Sequence, residues 1–415
     1  MSRWTNTAWI LSLILAASAP ADSWPQFRGP NGDGHAEAEN LPIRWDQNTH
    51  VAWKIDVPGE GWSSPVLHDG KLYLTAAVRE QNGKGRHLSA LCYDAETGNR
   101  LWAKVVFGQK SKSPRIHKKN SHASPTPIVD GGRLYVHFGH MGTAALDLSG
   151  KILWTNNRLR YPPVHGNGGS PVLVGGLLVF SCDGAKNPFV VALDSRTGKV
   201  AWRVNRATNP KRSFSFCTPK VITVNGQKQV VLPGSDAVFA YEPKTGKVIW
   251  RFNYPGGYSV VPRPVHAHGL VFVSSGFDRA VLYAIDPTGK GDLTKTGLKW
   301  KLAKGAPHTP SPLVVGDEIY LVADRGIMTC ADAKTGRVHW QKRLGGGGYS
   351  ASPVHADGRI YVQSESGLGV VVEASTTFRV LSKNDLNERV LASYAVGDGA
   401  LFIRSEQSLR RIQKP

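Results

Sequence analysis

Short runs in which apolar and polar residues alternate recur along almost the whole chain. Residues 71–74, 133–136, 318–321 and 359–362 read KLYL, RLYV, EIYL and RIYV, and each run follows a polar or glycine-containing turn. Alternation over a few residues, with β-branched and aromatic side chains at the apolar positions, predicts half-buried β-strands. No sustained helical period occurs between these runs, so the chain is predicted to be all-β.

A second pattern ends on tryptophan and has the form Ala-x-Asp-x-x-Thr-Gly-x-x-x-Trp. It is clearest at residues 192–202 (ALDSRTGKVAW), and related copies lie at 92–102, 145–154, 240–250, 284–300, 331–340 and, in degraded form, 371–381. The Asp carboxylate suits a turn in which it accepts backbone N–H groups, and Gly supplies the positive φ of a tight hairpin. The Trp then offers a large flat surface for packing between neighbouring sheets.

A proline-marked pattern opens each unit. Prolines preceded mostly by Ser or Thr, and followed by alternating apolar residues, recur at Pro65, Pro127, Pro171, Pro219, Pro264, Pro312 and Pro353. One proline pattern and one tryptophan pattern together enclose two hairpins. Each unit is therefore predicted to be a small antiparallel sheet of four strands.

The spacing of the units predicts their number. Trp102, Trp154, Trp202, Trp250, Trp300, Trp340 and the equivalent Leu381 are 52, 48, 48, 50, 40 and 41 residues apart, which is the period of a propeller blade. The last unit, residues 393–412, has only three strands, whereas residues 51–57 (VAWKIDV) contain Trp53 and belong to no other unit. We therefore predict an eight-bladed β-propeller whose last blade is closed by the N-terminal strand.

With these motifs the chain resembles the eight-bladed β-propellers of the pyrroloquinoline-quinone (PQQ)-like repeat family, in which the tryptophan pattern is the tryptophan-docking motif. Residues 24–30 (WPQFRGP), followed by Leu41-Pro42 and Trp45, are similar to the start of many secreted bacterial PQQ-like repeat proteins. The resemblance covers nearly the whole mature chain and implies the fold. It implies no single activity, because propellers carry unrelated functions.

The N-terminus predicts export from the cytoplasm. Arg3, an apolar stretch over residues 8–17 and Ala19-Pro20-Ala21 have the order of a secretory signal peptide; an uncleaved anchor is the alternative. We expect residues 1–21 to be the signal peptide, 22–50 an N-terminal extension and 51–415 a single propeller domain. The expected product is periplasmic or secreted, monomeric, and without a transmembrane span after cleavage.

The chain is strongly basic, with 51 Lys and Arg against 31 Asp and Glu and a net charge of +20. Three long connections between blades, residues 103–123, 155–169 and 203–216, hold many of these cations and no Asp or Glu. They either attract an anionic partner by their summed field or form only a solvated basic surface. The candidate ligand-binding residues are Lys118, Lys119, His122, Arg158, Arg160, His165, Lys211 and Arg212.

Two further residue classes are expected on the face of the propeller that carries these connections. One acidic residue recurs between the second and third strands of successive units, at Asp183, Asp236, Asp278, Asp324 and Glu365; these carboxylates either surround the channel mouth or cap their own turns. Small and hydroxylic residues precede the innermost strands, among them Ser64, Ser124, Ser170, Thr309 and Ser350. They either line a ligand site or pack the channel.

The cysteines and histidines give no sign of a metal site. Cys92, Cys182, Cys217 and Cys330 lack zinc-ligand spacing, and Cys182 either pairs with Cys217 or all four remain buried thiols. His266 and His268 flank one residue just before a hairpin turn, so we expect no metal there.

Resemblance to the quinoprotein dehydrogenases would require an adjacent Cys-Cys disulfide over the quinone and Glu, Asn and Asp calcium ligands beside a catalytic Asp. The chain has no adjacent cysteines and no haem-attaching Cys-x-x-Cys-His. We therefore expect no cofactor, PQQ included, and no catalytic residue.

The expected function is non-catalytic binding or scaffolding, with an envelope protein or an anionic polysaccharide as partner. This role is similar to that of the propeller subunit of the outer-membrane β-barrel assembly machine. Because the protein is predicted to act outside the cytoplasm, no nucleic-acid partner is expected. A PQQ-dependent dehydrogenase-like oxidoreductase is the alternative.

Overall fold

The computed structural model describes residues 23–81, 83–110 and 116–415. The predicted signal peptide therefore lies outside the described residues. The described chain forms eight antiparallel sheets arranged as the blades of a propeller. The one helical element in this part of the chain is a single 3₁₀ turn, Gly139–Met141. No helix among these residues has the length and apolarity that crossing a bilayer requires.

From the axis outward, the strands are Val66–His68, Lys71–Arg79, Gly85–Asp94 and Arg100–Lys110 in blade 1; Ile128–Asp130, Arg133–His137, Thr143–Asp147 and Ile152–Asn156 in blade 2; Val172–Val174, Leu177–Cys182, Phe189–Asp194 and Val200–Asn205 in blade 3; and Lys220–Val224, Gln227–Pro233, Ala237–Tyr241 and Val248–Asn253 in blade 4. They continue as Val265–Ala267, Leu270–Ser274, Leu282–Ile285 and Leu298–Leu302 in blade 5; Leu313–Val315, Glu318–Val322, Ile327–Asp332 and Val338–Arg343 in blade 6; and Val354–Ala356, Arg359–Gln363, Leu368–Glu373 and Val380–Asp385 in blade 7. Blade 8 consists of Ala395–Gly397, Ala400–Arg404, Ser408–Gln413 and Val51–Asp56.

Blade 8 joins the two ends of the propeller domain. The strand Val51–Asp56 pairs antiparallel with Ser408–Gln413, and Trp53 lies opposite Arg411. Trp53 also donates its indole N–H to the carbonyl oxygen of Ala95 in blade 1, at 3.2 Å. The prediction that the N-terminal strand completes the last blade is thus confirmed, as is the count of eight.

The tryptophan pattern links each blade to the next. Trp154 of blade 2 donates its indole N–H to the carbonyl oxygen of Ser195 in blade 3, at 2.9 Å. Its ring lies where a side chain on Gly198 would be, and Gly198 has a φ of +69°. Asp194 holds the same turn because its carboxylate accepts the backbone N–H of Thr197 at 2.8 Å. One motif therefore shapes a hairpin and provides the surface on which the neighbouring tryptophan docks.

Blade 4 departs from the prediction of four strands. The blade 5 copy of the tryptophan pattern, residues 284–300, is longer than the other copies. The inserted residues form a short strand, Gly291–Asp292, which pairs parallel with the outer strand of blade 4 beside Trp250 and Arg251. Trp250 is fully buried, and its indole N–H donates to Oε1 of Gln229 at 2.8 Å. The strand Gly291–Asp292 thus lies beside Trp250 at the position where, in other blades, the Asp-x-x-Thr-Gly turn of the next blade packs against the tryptophan.

Residues 24–38, here called the plug segment, run through the end of the channel that faces the hairpin turns between the first and second strands. Trp24 pairs with Leu67 of blade 1 through two backbone hydrogen bonds of 2.8 and 3.1 Å. Further along, the buried Arg28 donates to the carbonyl oxygen of Pro312 in blade 6, at 2.7 Å. The backbone N–H of His355 in blade 7 donates to Gly34 at 2.8 Å. The N-terminal extension therefore packs against blades 1, 6 and 7.

Candidate functional site

A cavity of about 360 Å³ lies on the propeller axis and is lined by residues from all eight blades. It opens on the face that carries the blade-to-blade connections and the loops between second and third strands, here called the top face. The side chain of Phe27, from the plug segment, contributes to its lining. Because the plug segment occupies the channel beyond Phe27, the cavity formed by the described residues has its mouth at the top face.

A ring of side-chain hydroxyls surrounds the axis at the start of the innermost strands. The backbone N–H of Thr126 donates to Oγ of Ser170 at 2.8 Å, and that of Ser170 donates to Oγ1 of Thr218 at 3.0 Å. Equivalent backbone-to-hydroxyl hydrogen bonds join the other successive blades around the axis. Blade 5 is the exception, because it carries Arg263 in place of a hydroxyl residue. The members of this hydroxyl ring are Ser64, Thr126, Ser170, Thr218, Ser311, Ser352 and Ser393.

Six aromatic rings follow one another along the wall of the axial cavity, and we call them the aromatic arc. Successive ring centroids are 5.6, 5.3, 5.7, 6.0 and 5.4 Å apart. Such distances are typical of edge-to-face and tilted packing. The rings in order are His117, His165, Phe214, Tyr258, Phe277 and His308.

A polar chain is attached to the middle of the aromatic arc. The Tyr258 hydroxyl donates to Oδ2 of Asp278 at 2.8 Å and accepts a hydrogen bond from Arg212. The Arg212 guanidinium also lies 4.6 Å from the centroid of the Tyr258 ring. Desolvation raises the pKa of Tyr258, and the hydrogen bond to Asp278 raises it further. The phenol therefore stays neutral at physiological pH, and Arg212 carries positive charge at the mouth of the axial cavity.

The predicted cations fall into two groups. Lys118, Arg158, Arg160 and Lys211 are exposed, and none has a carboxylate within 4 Å among the residues that the structure describes. Lys119 instead pairs with Glu365 of blade 7, with Nζ and Oε1 2.6 Å apart. The first group keeps its charge available to a partner.

The predicted histidines differ in position. His165 lines the axial cavity, and its carbonyl oxygen accepts the backbone N–H of His117 at 3.2 Å and Nδ2 of Asn120 at 2.9 Å. These bonds fasten the first long connection to the second. His122 does not line the axial cavity; burial, and after it the charge of Arg86, lowers the pKa of His122 to about 4. This histidine is therefore neutral at physiological pH.

The recurrent acidic residues hold loops together. Asp183 forms a buried two-point ion pair with Arg206, with N···O distances of 2.7 and 2.8 Å. Asp324 accepts the backbone N–H of His308 at 2.7 Å and the hydroxyl of Thr309 at 2.6 Å. These carboxylates therefore bind residues of the neighbouring blade-to-blade connections and do not cap their own turns, and Asp324 also lines the axial cavity. Arg206 lies in the connection 203–216 but does not contribute to an exposed basic surface, because burial and the ion pair with Asp183 remove it from solvent.

The four cysteines are free and buried, so the pairing of Cys182 with Cys217 is not made. None of them lines the axial cavity. Within the described residues, no group of three or more His, Cys, Asp or Glu side chains is placed to hold a metal ion.

Several residues of the site escaped the sequence prediction. Phe27, Tyr258 and Phe277 carry no recurrent pattern, since each comes from a different kind of loop. The hydroxyl ring did leave a signal, because Thr126 and Thr218 occupy the position before the recurrent proline, as Ser64 and Ser170 do. The Ser or Thr before the recurrent proline, already noted in the sequence, therefore marks the ring, and Arg263 is the exception at that position.

The fold and the tryptophan-docking contacts define the chain as a PQQ-like eight-bladed β-propeller. A family model described as "Outer membrane protein assembly factor BamB" matches residues 37–182, 186–294 and 278–389. The chain belongs to this family.

Curated relatives include quinone-dependent enzymes. The dehydrogenase subunit of the quinone alcohol dehydrogenase of Komagataeibacter europaeus is 26% identical over 277 residues, which cover 56% of this chain and 35% of the relative. Quinohemoprotein alcohol dehydrogenase ADH IIB of Pseudomonas putida is 25% identical over 190 residues, which cover 42% and 25%. The chain thus spans about a third or less of the length of these relatives.

Solved structures share the fold. BamB from Moraxella catarrhalis superposes with a TM-score of 0.63 at 12% identity, covering 88% of this chain and 97% of that one. A europium-containing methanol dehydrogenase superposes with a TM-score of 0.65 at 12% identity, covering 92% and 89%. At such identities the likeness concerns the architecture alone.

Proposed function

We propose that this protein is a non-catalytic, extracytoplasmic binding module that holds an anionic envelope partner on its top face. The observation that carries the proposal is a set of exposed cations on three successive connections beside the axial cavity, none of which has a carboxylate partner among the described residues: Lys118, Arg158, Arg160 and Lys211. Like charges gathered beside a low-dielectric concavity focus the field at its mouth and speed the approach of an anion. The partner is then an acidic polysaccharide or an acidic protein surface.

The cellular location rests on the predicted signal peptide, and the name of the matching family, an outer membrane protein assembly factor, is in keeping with it. That name also supports a protein partner. The match to quinone alcohol dehydrogenases supports the alternative of an oxidoreductase.

The residues around the axial cavity do not fit a calcium-bound quinone. A calcium ion takes six to eight oxygen ligands, largely carboxylates. Here Asp278 and Asp324 already accept hydrogen bonds from Tyr258, His308 and Thr309, and the buried cysteines lie away from the cavity. We therefore derive no quinone chemistry for this chain.

The proposal is tested by retention of the purified protein on immobilised polygalacturonate at increasing salt. Changing Lys118, Arg158, Arg160 and Lys211 together to Ala should shift elution to clearly lower salt. Each change removes a positive charge, so less salt is needed to screen the remaining attraction to the polyanion. A matched variant replaces four exposed lysines of the opposite face, Lys199, Lys228, Lys244 and Lys247. It has the same net charge and should elute close to wild type. Equal shifts in both variants would overturn the proposal.

A further inference from the structure

We propose, building on the proposed function, that the axial cavity receives the end of an acidic oligosaccharide chain. The terminal sugar lies inside the cavity, and the following acidic sugars contact the cations of the top face.

The hydroxyl ring favours an oxygen-rich ligand. Ser64, Thr126, Ser170 and Thr218 are at least 96% buried, and each oxygen already accepts a backbone N–H from the neighbouring blade. No acceptor for their own protons lies within hydrogen-bonding distance among the described residues. An apolar group that displaced water from this ring would leave these donors without partners, which is unfavourable for buried hydroxyls. Sugar hydroxyl and ring oxygens would instead accept from them.

The aromatic arc supplies the second surface that a pyranose needs. One face of a sugar ring presents C–H groups, which pack favourably on aromatic side chains. Phe277 is 51% exposed, and its ring contacts both Tyr258 and His308. A ring held between the aromatic arc and the hydroxyl ring would satisfy both its apolar and its polar groups.

The shape of the cavity favours the end of a chain over its middle. Phe27 and the plug segment close the lower end, so a polymer cannot thread through the axis. A volume of about 360 Å³ is near the lower limit for small-molecule pockets and accommodates roughly one or two sugar rings. The next residues of the chain must leave through the mouth, where Arg212 and the exposed Lys211 lie.

The test is calorimetric titration of the full mature chain with trigalacturonate at low salt. Neutral maltotriose and hexaglutamate serve as comparison ligands. We expect trigalacturonate to bind about tenfold or more tightly than either, since only it combines sugar rings with carboxylates. Stronger binding of hexaglutamate would overturn the inference in favour of an acidic peptide.

A variant that fills the cavity separates this inference from the proposed function. Val261 lines the cavity and is only half-buried, so Val261→Trp occupies space without removing a hydrogen bond. It should weaken trigalacturonate binding about tenfold or more while retention on long polygalacturonate stays dependent on Lys118, Arg158, Arg160 and Lys211. The control Val200→Trp, on an exposed outer strand, should bind as wild type does.

The two variants distinguish failure of the cavity site from failure of the proposed function. If Val261→Trp binds trigalacturonate like wild type and the top-face variant does not, the cavity is not the site and the proposed function stands. If the top-face variant retains all binding, the proposed function itself is wrong. Phe277→Ala gives an independent check, because loss of an exposed ring should weaken trigalacturonate binding with little change in the unfolding midpoint.

Discussion

Arg263 stands where the other seven blades carry a ring hydroxyl, and its guanidinium donates to the carbonyl oxygen of Phe27 at 2.6 Å. The same group donates to the carbonyl oxygen of Pro219 at 2.9 Å. Burial lowers the pKa of Arg263 to about 10, so the side chain is still charged at neutral pH. The one exception in the hydroxyl ring thus connects the plug segment to blades 4 and 5.

Replacing Arg263 by Ser, the residue type of the other blades, should lower the free energy of unfolding by about 3 kcal/mol. The carbonyl oxygens of Phe27 and Pro219 would lose their charged donor, and a cavity would replace a large buried side chain. Urea unfolding followed by tryptophan fluorescence measures this change. Arg158→Ser, at an exposed position, should stay within about 0.5 kcal/mol of wild type. Similar stability of the two variants would contradict the role given to Arg263.

The docking of tryptophan on glycine can be separated from the effect of positive φ. Gly198 and Gly226 both have positive φ, +69° and +76°, but only a Cβ on Gly198 would overlap a neighbour, the ring of Trp154. Gly226→Ala should cost about 1 kcal/mol from backbone strain alone, and Gly198→Ala about 3 kcal/mol because the indole must move. Thermal or urea unfolding of both variants gives the difference. Equal costs would mean that the tryptophan contact contributes nothing.

The blade count was predictable because the motif that carries the docking tryptophan is local in sequence and repeated. Each Asp-x-x-Thr-Gly turn and its Trp lie within one short stretch, and their spacing counts the blades directly. The plug segment was not predictable in the same way. Arg28 and Lys220 bind backbone carbonyl oxygens of distant residues, and a carbonyl acceptor leaves no mark on the sequence.

The candidate site was predictable only in part, for the same reason. Lys118 and Lys211 lie on the top face because long connections must leave a propeller there. Whether a cation is free or paired depends on tertiary contacts: Arg206 finds Asp183, and Lys119 finds Glu365. Neither partner is near in sequence.

The buried ion pair between Asp183 and Arg206 should be costly to break. Asp183→Asn removes one charge and leaves the guanidinium uncompensated in a site from which both side chains are almost wholly shielded. We expect a loss of about 3–5 kcal/mol, measured by urea unfolding. Asp292→Asn breaks the exposed pair with Arg251, whose side chains are 43% and 42% exposed, and should cost less than about 1 kcal/mol. A loss below about 1 kcal/mol for Asp183→Asn would show that the pair is not needed.

Acid should destabilise the fold through His137. This side chain is buried, its Nδ1 lies 2.8 Å from Oγ1 of Thr143, and desolvation, and after it the charge of His140, lowers its pKa to about 3. The unfolded chain binds the proton near pH 6.5. Because the unfolded state is protonated first, stability should decrease as the pH falls from about 6.5 towards 3.

His137→Gln removes this titration, so the free energy of unfolding of the variant should depend less steeply on pH between 6.5 and 4 than that of wild type. Urea unfolding at half-unit pH steps measures both slopes. At pH 7.5 both proteins carry a neutral side chain at this position, so a constant offset there reports packing alone. Parallel pH profiles would exclude His137 as the source of the acid sensitivity.

The pairing of Val51–Asp56 with Ser408–Gln413 determines which blade can be completed last during synthesis of the chain. A chain that emerges N-terminus first presents its opening strand long before the segment that completes it exists, so blade 8 is the last to assemble. Until then the opening strand carries an unpaired edge, and edges of this kind recruit other chains into aggregates. Lys54 and Asp56 place charges on that edge, which disfavours premature pairing with the wrong neighbour.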